Sequence, residues 1–270
     1  MLEPDHSEKQ STLKISSSFA IIIPAWNESD YIETTINSAN TAMQHCKHTG
    51  RIIVVDNNST DDTSEIAVRA GAEVVFEPVN QIARARNTGA RAANTDWLVF
   101  LDADTTLNSE LLNASLDALA SGKVIGGGST ITLDKNLRGL AKFGLSVWNW
   151  WSKLSRSAAG CFIYCDRESF EFAGGFDEQR YVAEELFLSK SLRTLAKQRG
   201  QEFVIQTVAP VVSSARKLDW YSPRQMLWQM LCLLTPFSTT SKKRLGVWYD
   251  RTNIRRPEKS KMGNQKMDNE

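Results

Sequence analysis

The stretch TDWLVFLDADT, residues 95–105, sets the reading of the whole chain. Its apolar run Trp97–Leu101 fits a buried strand, and the run stops at the carboxylate pair Asp102 and Asp104. Two carboxylates spaced this way at a strand end can place one oxygen on a divalent ion and another on a hydroxyl. Hard oxygen ligands suit Mg2+ or Mn2+, which also hold diphosphate oxygens and neutralise charge on a leaving diphosphate. Alone, such a pair is just as well a solvated turn or a helix cap, so its meaning rests on what lies around it.

Working outward, strands ending in polar clusters recur. Residues 19–23 form an apolar run stopped by Pro24, with the cluster 25–28 after it and a helical segment over 29–46. Residues 51–55 read as a second buried strand ending in Asp56-Asn-Asn-Ser-Thr-Asp-Asp. A helix over 63–70, a short strand over 72–76 and a helical stretch over 81–93 complete the alternation. This pattern predicts an α/β fold with a doubly wound, mostly parallel sheet flanked by helices. Ligands of such sheets sit outside the carboxyl ends of the strands, where 25–28, 56–62 and 102–104 would converge. Asp56 can there accept a hydrogen bond from a base ring N–H, while Asp61 and Asp62 are explained by turn and cap chemistry.

Composition narrows the class. The 270 residues are 41% hydrophobic and 23% charged, with a net charge of +1. That is ordinary for a globular domain and argues against nucleic acid as the main partner, but not against a single diphosphate. Cys46, Cys161, Cys165 and Cys232 have no zinc-type spacing, and His6, His45 and His48 all fall in the first 50 residues, so the thiols read as reduced core residues. The polar start MLEPDHSEKQST has no apolar signal core, and no stretch reaches the length of a membrane span. The expected location is cytoplasmic, with peripheral contact at the inner membrane face left open.

From about residue 125 the character changes. Strands are expected over 126–133, 160–165 and 203–208. Helices are expected over 137–154, 167–173 and 184–199, and residues 174–177 read as a turn. The expected organisation is a lead-in over 1–17, one domain over 18–215 with its nucleotide-binding half ending near 120, a helical C-terminal extension over 216–250 and a tail over 251–270. The ends 1–17 and 251–270 read as disordered.

IIIPAWNESDYI, IIVVDNNSTDDT, ARARNTGARAANTDWLVFLDADT and AGGFDE, in this order, resemble the successive blocks of family 2 glycosyltransferases of the GT-A fold. The resemblance covers roughly residues 18–210. It implies transfer of a sugar from a UDP- or GDP-linked donor to a saccharide or lipid-linked acceptor, with Mn2+ or Mg2+ as cofactor, in glycan, glycolipid or cell-envelope polysaccharide synthesis. It also assigns roles. Pro24, Ala25 and Glu28 lie against base and ribose, and Asp56 reads the base. Arg84 or Arg86, with Asn87, flank the nucleotide, although a solvated helix face explains either arginine equally well. Asp102 binds the ribose, with Ala103 beside it, and Asp104 holds the metal. Ser213-Ser214-Ala215-Arg216-Lys217 is similar to a block of some small members in which the arginine clamps the diphosphate.

An inverting member needs a carboxylate to take the acceptor proton. The family places it in a Glu-Asp pair opening a helix after Gly-Gly-Phe-Asp. Here the pair is Glu184-Glu185, with Glu185 at the aspartate position. Phe187 replaces a further acid. Both glutamates also suit a helix N-terminus. Trp148, Trp150, Trp151 and the segment 220–237 fit either core packing or a membrane interface, and Lys242, Lys243 and Arg244 either an anionic surface or a soluble tail. Three alternatives stay open: a nucleotidyltransferase of similar sheet, a retaining transferase, and a degenerate member that binds without transfer.

Overall fold

The computed structural model describes residues 17–220. The expected lead-in up to residue 16, the extension and tail from residue 221, Cys232 and the basic group at 242–244 lie outside the described residues.

A single eight-stranded sheet carries the fold. Its strands are β1 (Ser18–Ala25), β2 (Thr49–Asp56), β3 (Glu73–Phe76), β4 (Trp97–Leu101), β5 (Thr105–Thr106), β6 (Val124–Leu133), β7 (Phe162–Asp166) and β8 (Glu202–Ser213), in the order β3-β2-β1-β4-β7-β6-β8-β5. The first four are parallel neighbours joined by α1 (Ile32–Met43), α2 (Thr63–Arg69) and α3 (Ile82–Ala93), as βαβ crossovers require. β7 then runs antiparallel to β4 and β6, so the second half is mixed, with β6 and β8 parallel. The remaining helices are α4 (Ser109–Ala120), α5 (Gly139–Ser155), α6 (Arg167–Phe172), α7 (Glu184–Arg199) and α8 (Arg216–Trp220).

β1 and β4 are buried along almost their whole length because helices cover both faces of the sheet. One core lies between the sheet and α1 and α4, the other between the sheet and α3 and α7. α3 approaches so closely that a methyl group on Gly89 would stand 2.3 Å from a methyl carbon of Ile22. The glycine run 126–128 has the same cause: a side chain on Gly127 would meet the Val204 carbonyl of β8.

Two differences from the sequence pattern have plain reasons. β1 continues through Pro24 to Ala25, because its ladder with β4 has already ended at Ile22 and only β2 pairs alongside the proline. β5 and α4 join the assigned elements: β5 is too short to show periodicity, whereas α4 starts at the side-chain cap of Asn108, which accepts the Leu111 N–H at 2.8 Å.

Candidate active site

The carboxyl ends of β1, β2 and β4 open into a cavity of about 550 Å³. The pair from residues 102 and 104 forms its floor, and its backbone is held at three points. Asp102 donates its N–H to the Cys161 carbonyl at 3.2 Å, and the Asp104 carbonyl accepts the Ser214 N–H at 3.0 Å. Between them the Ala103 carbonyl accepts from Thr35 Oγ1 at 2.8 Å. The antiparallel pairing of Thr105 with Ser213 brings the end of β8 across this floor.

Two guanidiniums flank the pair. Arg86 reaches up from α3 and is almost entirely buried. Its Nη2 donates to Asp102 Oδ1 and to the Gly160 carbonyl, both at 2.8 Å, and its Nη1 donates to Glu184 Oε1 at 2.7 Å. The Phe176 ring lies 5.1 Å beneath. Burial works against its charge, but Asp102, Glu184 and Glu185 outweigh that and hold it protonated. Arg216, on the other side, makes a two-pronged pair with Glu28 at 2.5 and 2.8 Å and approaches Asp104 Oδ2 at 2.8 Å. It lies between the Tyr31 and Trp220 rings. The Glu28 backbone is anchored in turn by its N–H on Thr63 Oγ1 at 2.8 Å.

Glu184 and Glu185 open α7 but face different surroundings. Glu184 is buried and taken up by Arg86; burial raises its pKa and the guanidinium opposes the rise. Glu185 is half-buried, lines the cavity and packs against Gly160, where an added methyl would stand 3.5 Å from its carboxyl carbon. Burial, reinforced by Glu184 and opposed by Arg86, pushes its pKa up to about 8. Phe187 carries the Arg180 guanidinium over its ring at 3.5 Å.

The cavity thus gathers Pro24, Ala25, Glu28, Arg86, Asp102, Ala103, Asp104, Glu184, Glu185 and Arg216. Asp56, Arg84 and Asn87 are not among its lining residues, although Asp56 directly precedes Asn57, which is. Asp56 accepts the Ser59 N–H at 3.0 Å, shaping the loop after β2. Arg84 pairs with Glu178 at 3.1 Å and approaches Glu77 at 3.6 Å. Asn87 clasps both the N–H and the carbonyl of Phe176 at 2.9 Å. Asn57, which sequence reasoning did not single out, lines the cavity and ties three loop positions together through Glu77, Val79 and Gln81. Its position directly after the last residue of β2 was the available signal. Cys161 and Cys165 are free and buried, and Cys46 is free and partly buried.

Five carboxyl groups face two guanidiniums here, so the cavity is net negative even when Glu185 keeps its proton. A bare diphosphate would be repelled, whereas a divalent cation would be welcomed. Among the described residues no three carboxylate, imidazole or thiol groups converge as a ready-made cage. Mg2+ and Mn2+ do not need one: they take one or two carboxylates and complete their shells with phosphate oxygens and water. Asp104 brings a carboxylate to the cavity lining with its Oδ2 against the Arg216 guanidinium, so an ion that displaced the guanidinium would meet the hard oxygen donor it needs.

A parallel nucleotide-type half sheet, a mixed second half and an acidic pair at the central strand end define a GT-A fold. The comparisons agree. The Glycosyl transferase family 2 model matches residues 20–172, and the chain belongs to that family. An uncharacterized glycosyltransferase of Mycobacterium bovis is 34% identical over 89 residues, which is 33% of this chain and 38% of that protein. The match therefore spans little more than a third of that curated relative. A Pyrobaculum calidifontis mannosyltransferase solved with GDP-Man and Mn2+ superposes with a TM-score of 0.61 at 20% identity, over 81% of this chain and 63% of that one. Glucosyl-3-phosphoglycerate synthase of Mycobacterium tuberculosis, solved with Mn2+, UDP and glucosyl-3-phosphoglycerate, gives 0.54 at 18% identity, over 78% and 75%. Among the described residues no helix is long and apolar enough to cross a membrane.

Proposed function

We propose that the chain transfers a sugar from a UDP- or GDP-linked donor to an acceptor hydroxyl, with inversion and with the help of Mn2+ or Mg2+. The observation that carries this reading is the net-negative cavity at the ends of β1, β2 and β4, with the Asp104 carboxylate in its lining. Solved relatives of the same fold hold GDP-Man or UDP together with Mn2+. When bound, the ion would be held by Asp104 and would neutralise charge on the departing diphosphate.

The chain's own residues supply the rest. Pro24, Ala25 and Glu28 border the nucleoside, with Asp56 proposed to accept the base ring N–H. Arg84 and Asn87 act from outside the lining by fixing the loops around Phe176 and Glu178. Asp102 keeps one oxygen on Arg86 and offers the other to a ribose hydroxyl. Arg216 leaves Asp104 for the diphosphate, and its buried Nε, which has no protein partner, gives a further donor for a phosphate oxygen. Glu185 takes the acceptor proton as that oxygen attacks the anomeric carbon; a pKa near the working pH suits a base. Glu184 acts through Arg86 and does not touch substrate. An acceptor of a cell-envelope glycan or glycolipid fits the apolar wall formed by Leu133, Leu145 and Trp148.

The experiment is transfer and donor hydrolysis measured across UDP- and GDP-sugars with Mn2+, followed by the anomeric configuration of the product. Release of a nucleoside diphosphate with an inverted product is expected. Release of pyrophosphate would instead mark a nucleotidyltransferase, and retained configuration would remove Glu185 as base.

A further inference from the structure

Helix α5 turns apolar side chains to solvent as well as to the protein, where Leu145 and Trp148 line the cavity. Polar side chains hold it to the protein: Asn149 accepts the Ile131 N–H at 2.9 Å and donates to the Ile131 carbonyl at 2.8 Å, and buried Ser152 donates to the Ser157 carbonyl at 2.7 Å. Its outward face is apolar. Phe143, Val147, Trp150, Trp151 and Leu154 follow the spacing of one helical stripe and are 67, 44, 60, 38 and 70% exposed. A surface helix normally turns polar residues outward. A contiguous exposed apolar stripe of this kind marks an interaction surface.

The charge around the stripe identifies the partner. Residues 134–166 carry Lys135, Arg138, Lys142, Lys153 and Arg156, all exposed, against two acids, Asp134 and Asp166, one at each end. The whole chain has a net charge of only +1, so helix α5 and its flanks carry a local excess of positive charge. A second copy would bring the same basic face against its like. The sequence over 221–250 carries Arg224, Lys242, Lys243 and Arg244 against one acid, Asp250, so it is basic as well. An anionic lipid bilayer offers both an apolar layer and negative headgroups. Aromatic residues on one face of a helix with lysines and arginines at its borders suit that boundary.

We propose that α5 is an in-plane anchor that seats this chain on an anionic bilayer surface. It is an interfacial element and not a span, for its 17 residues include polar groups tied to the sheet. The helix also joins the cavity: Leu145 and Trp148 line it, and the Trp148 ring lies 5.2 Å from the Trp151 ring of the outer face. Docking therefore sets one cavity wall at the lipid–water boundary, where an acceptor with a lipid tail presents its head. That last step rests on the transferase reading; bilayer docking does not.

The test is flotation of the full chain with vesicles of phosphatidylcholine alone or with about 30% phosphatidylglycerol, without donor or metal. Wild type is expected to float with the anionic vesicles at least about tenfold better than with neutral ones, and to lose most of that in about 0.5 M salt. The double variants Phe143→Glu/Trp150→Glu and Lys142→Glu/Lys153→Glu are each expected to lose roughly tenfold or more in partitioning. Their circular dichroism and Tm should match wild type, because all four side chains are exposed. A wild type that stays in the aqueous fraction overturns the proposal, and so does equal flotation of the variants. If the Phe143/Trp150 variant instead breaks a dimer or exposes 221–249 to protease without any vesicle binding, the face belongs to a second copy or to the chain's own segment, and the proposal fails.

Discussion

The two guanidiniums beside the acidic pair look alike and behave differently. Arg86 lies on the 12-residue helix α3 and is fixed by Asp102, Glu184 and the Gly160 carbonyl, which come from three other parts of the fold. Arg216 lies on the five-residue α8 and is held by two carboxylates, Glu28 and Asp104. The acidic partners of both guanidiniums line the cavity, so what separates the two sides is the Gly160 backbone carbonyl that also fixes Arg86. A buried charge tied to backbone is part of the scaffold. One held by side chains can trade them for a ligand. The difference assigns structure to the Arg86 side and exchange to the Arg216 side.

The largest expected effect breaks the Arg86 side. Arg86→Met strands Asp102 and Glu184 without a counter-charge, and loss of one partner of a buried pair costs about 3–5 kcal/mol. Urea unfolding should show that loss, with or without donor. Next comes Glu185, which the Arg86 cluster tunes. Glu185→Gln should lower kcat by roughly 10²–10⁴ with little change in donor KM. Wild-type kcat should rise with pH towards about 8 as Glu185 loses its proton, and that limb should vanish in the variant.

The Arg216 side should respond more gently. Arg216→Gln keeps a side-chain amide that can still donate to Glu28 or Asp104, so destabilisation should be smaller, about 1–3 kcal/mol. Mn2+ should bind this variant more tightly than wild type in the absence of donor, by titration calorimetry, because the competing guanidinium is gone. Equal losses of stability in Arg86→Met and Arg216→Gln, neither relieved by Mn2+, would erase the distinction. The smallest effect is on stability against pH. Glu185 binds its proton more tightly in the folded chain than at its unfolded value of 4.5. Its contribution is complete below that value and is lost as pH rises through about 8. Tm of the ligand-free protein should fall between pH 6 and 8.5, and Glu185→Gln should flatten the fall.

The sequence made the nucleotide half legible because each strand there is a short apolar run closed by a polar cluster. Trp97–Leu101 and Glu184–Arg199 have the bounds that the pattern predicts. The carboxylates at strand ends were visible for the same reason. The partners of those carboxylates were not. Arg86 and Glu184 are 98 residues apart, and Glu28 and Arg216 are 188 apart, so no local pattern joins them. Nor does periodicity separate Arg84 from Arg86. The two lie two positions apart on one helix, and only packing against Phe176 and Gly160 puts one in the cavity and leaves the other pairing with Glu77 and Glu178. The outward face of α5 stayed one of two readings for a related reason: a stripe of tryptophan and leucine reads alike whether it points inward or outward.

The central claim is that Asp104 works through a divalent cation shared with the donor diphosphate. It is tested most directly by Tm shifts with UDP- and GDP-sugars, in Mn2+ and in EDTA, for wild type and Asp104→Ala. Donor at about 100 times its Kd should stabilise wild type in Mn2+ by about 2.7 kcal/mol, a shift of several degrees. The shift should disappear both in EDTA and in the variant. An equal donor shift in EDTA, or in Asp104→Ala, would contradict the account.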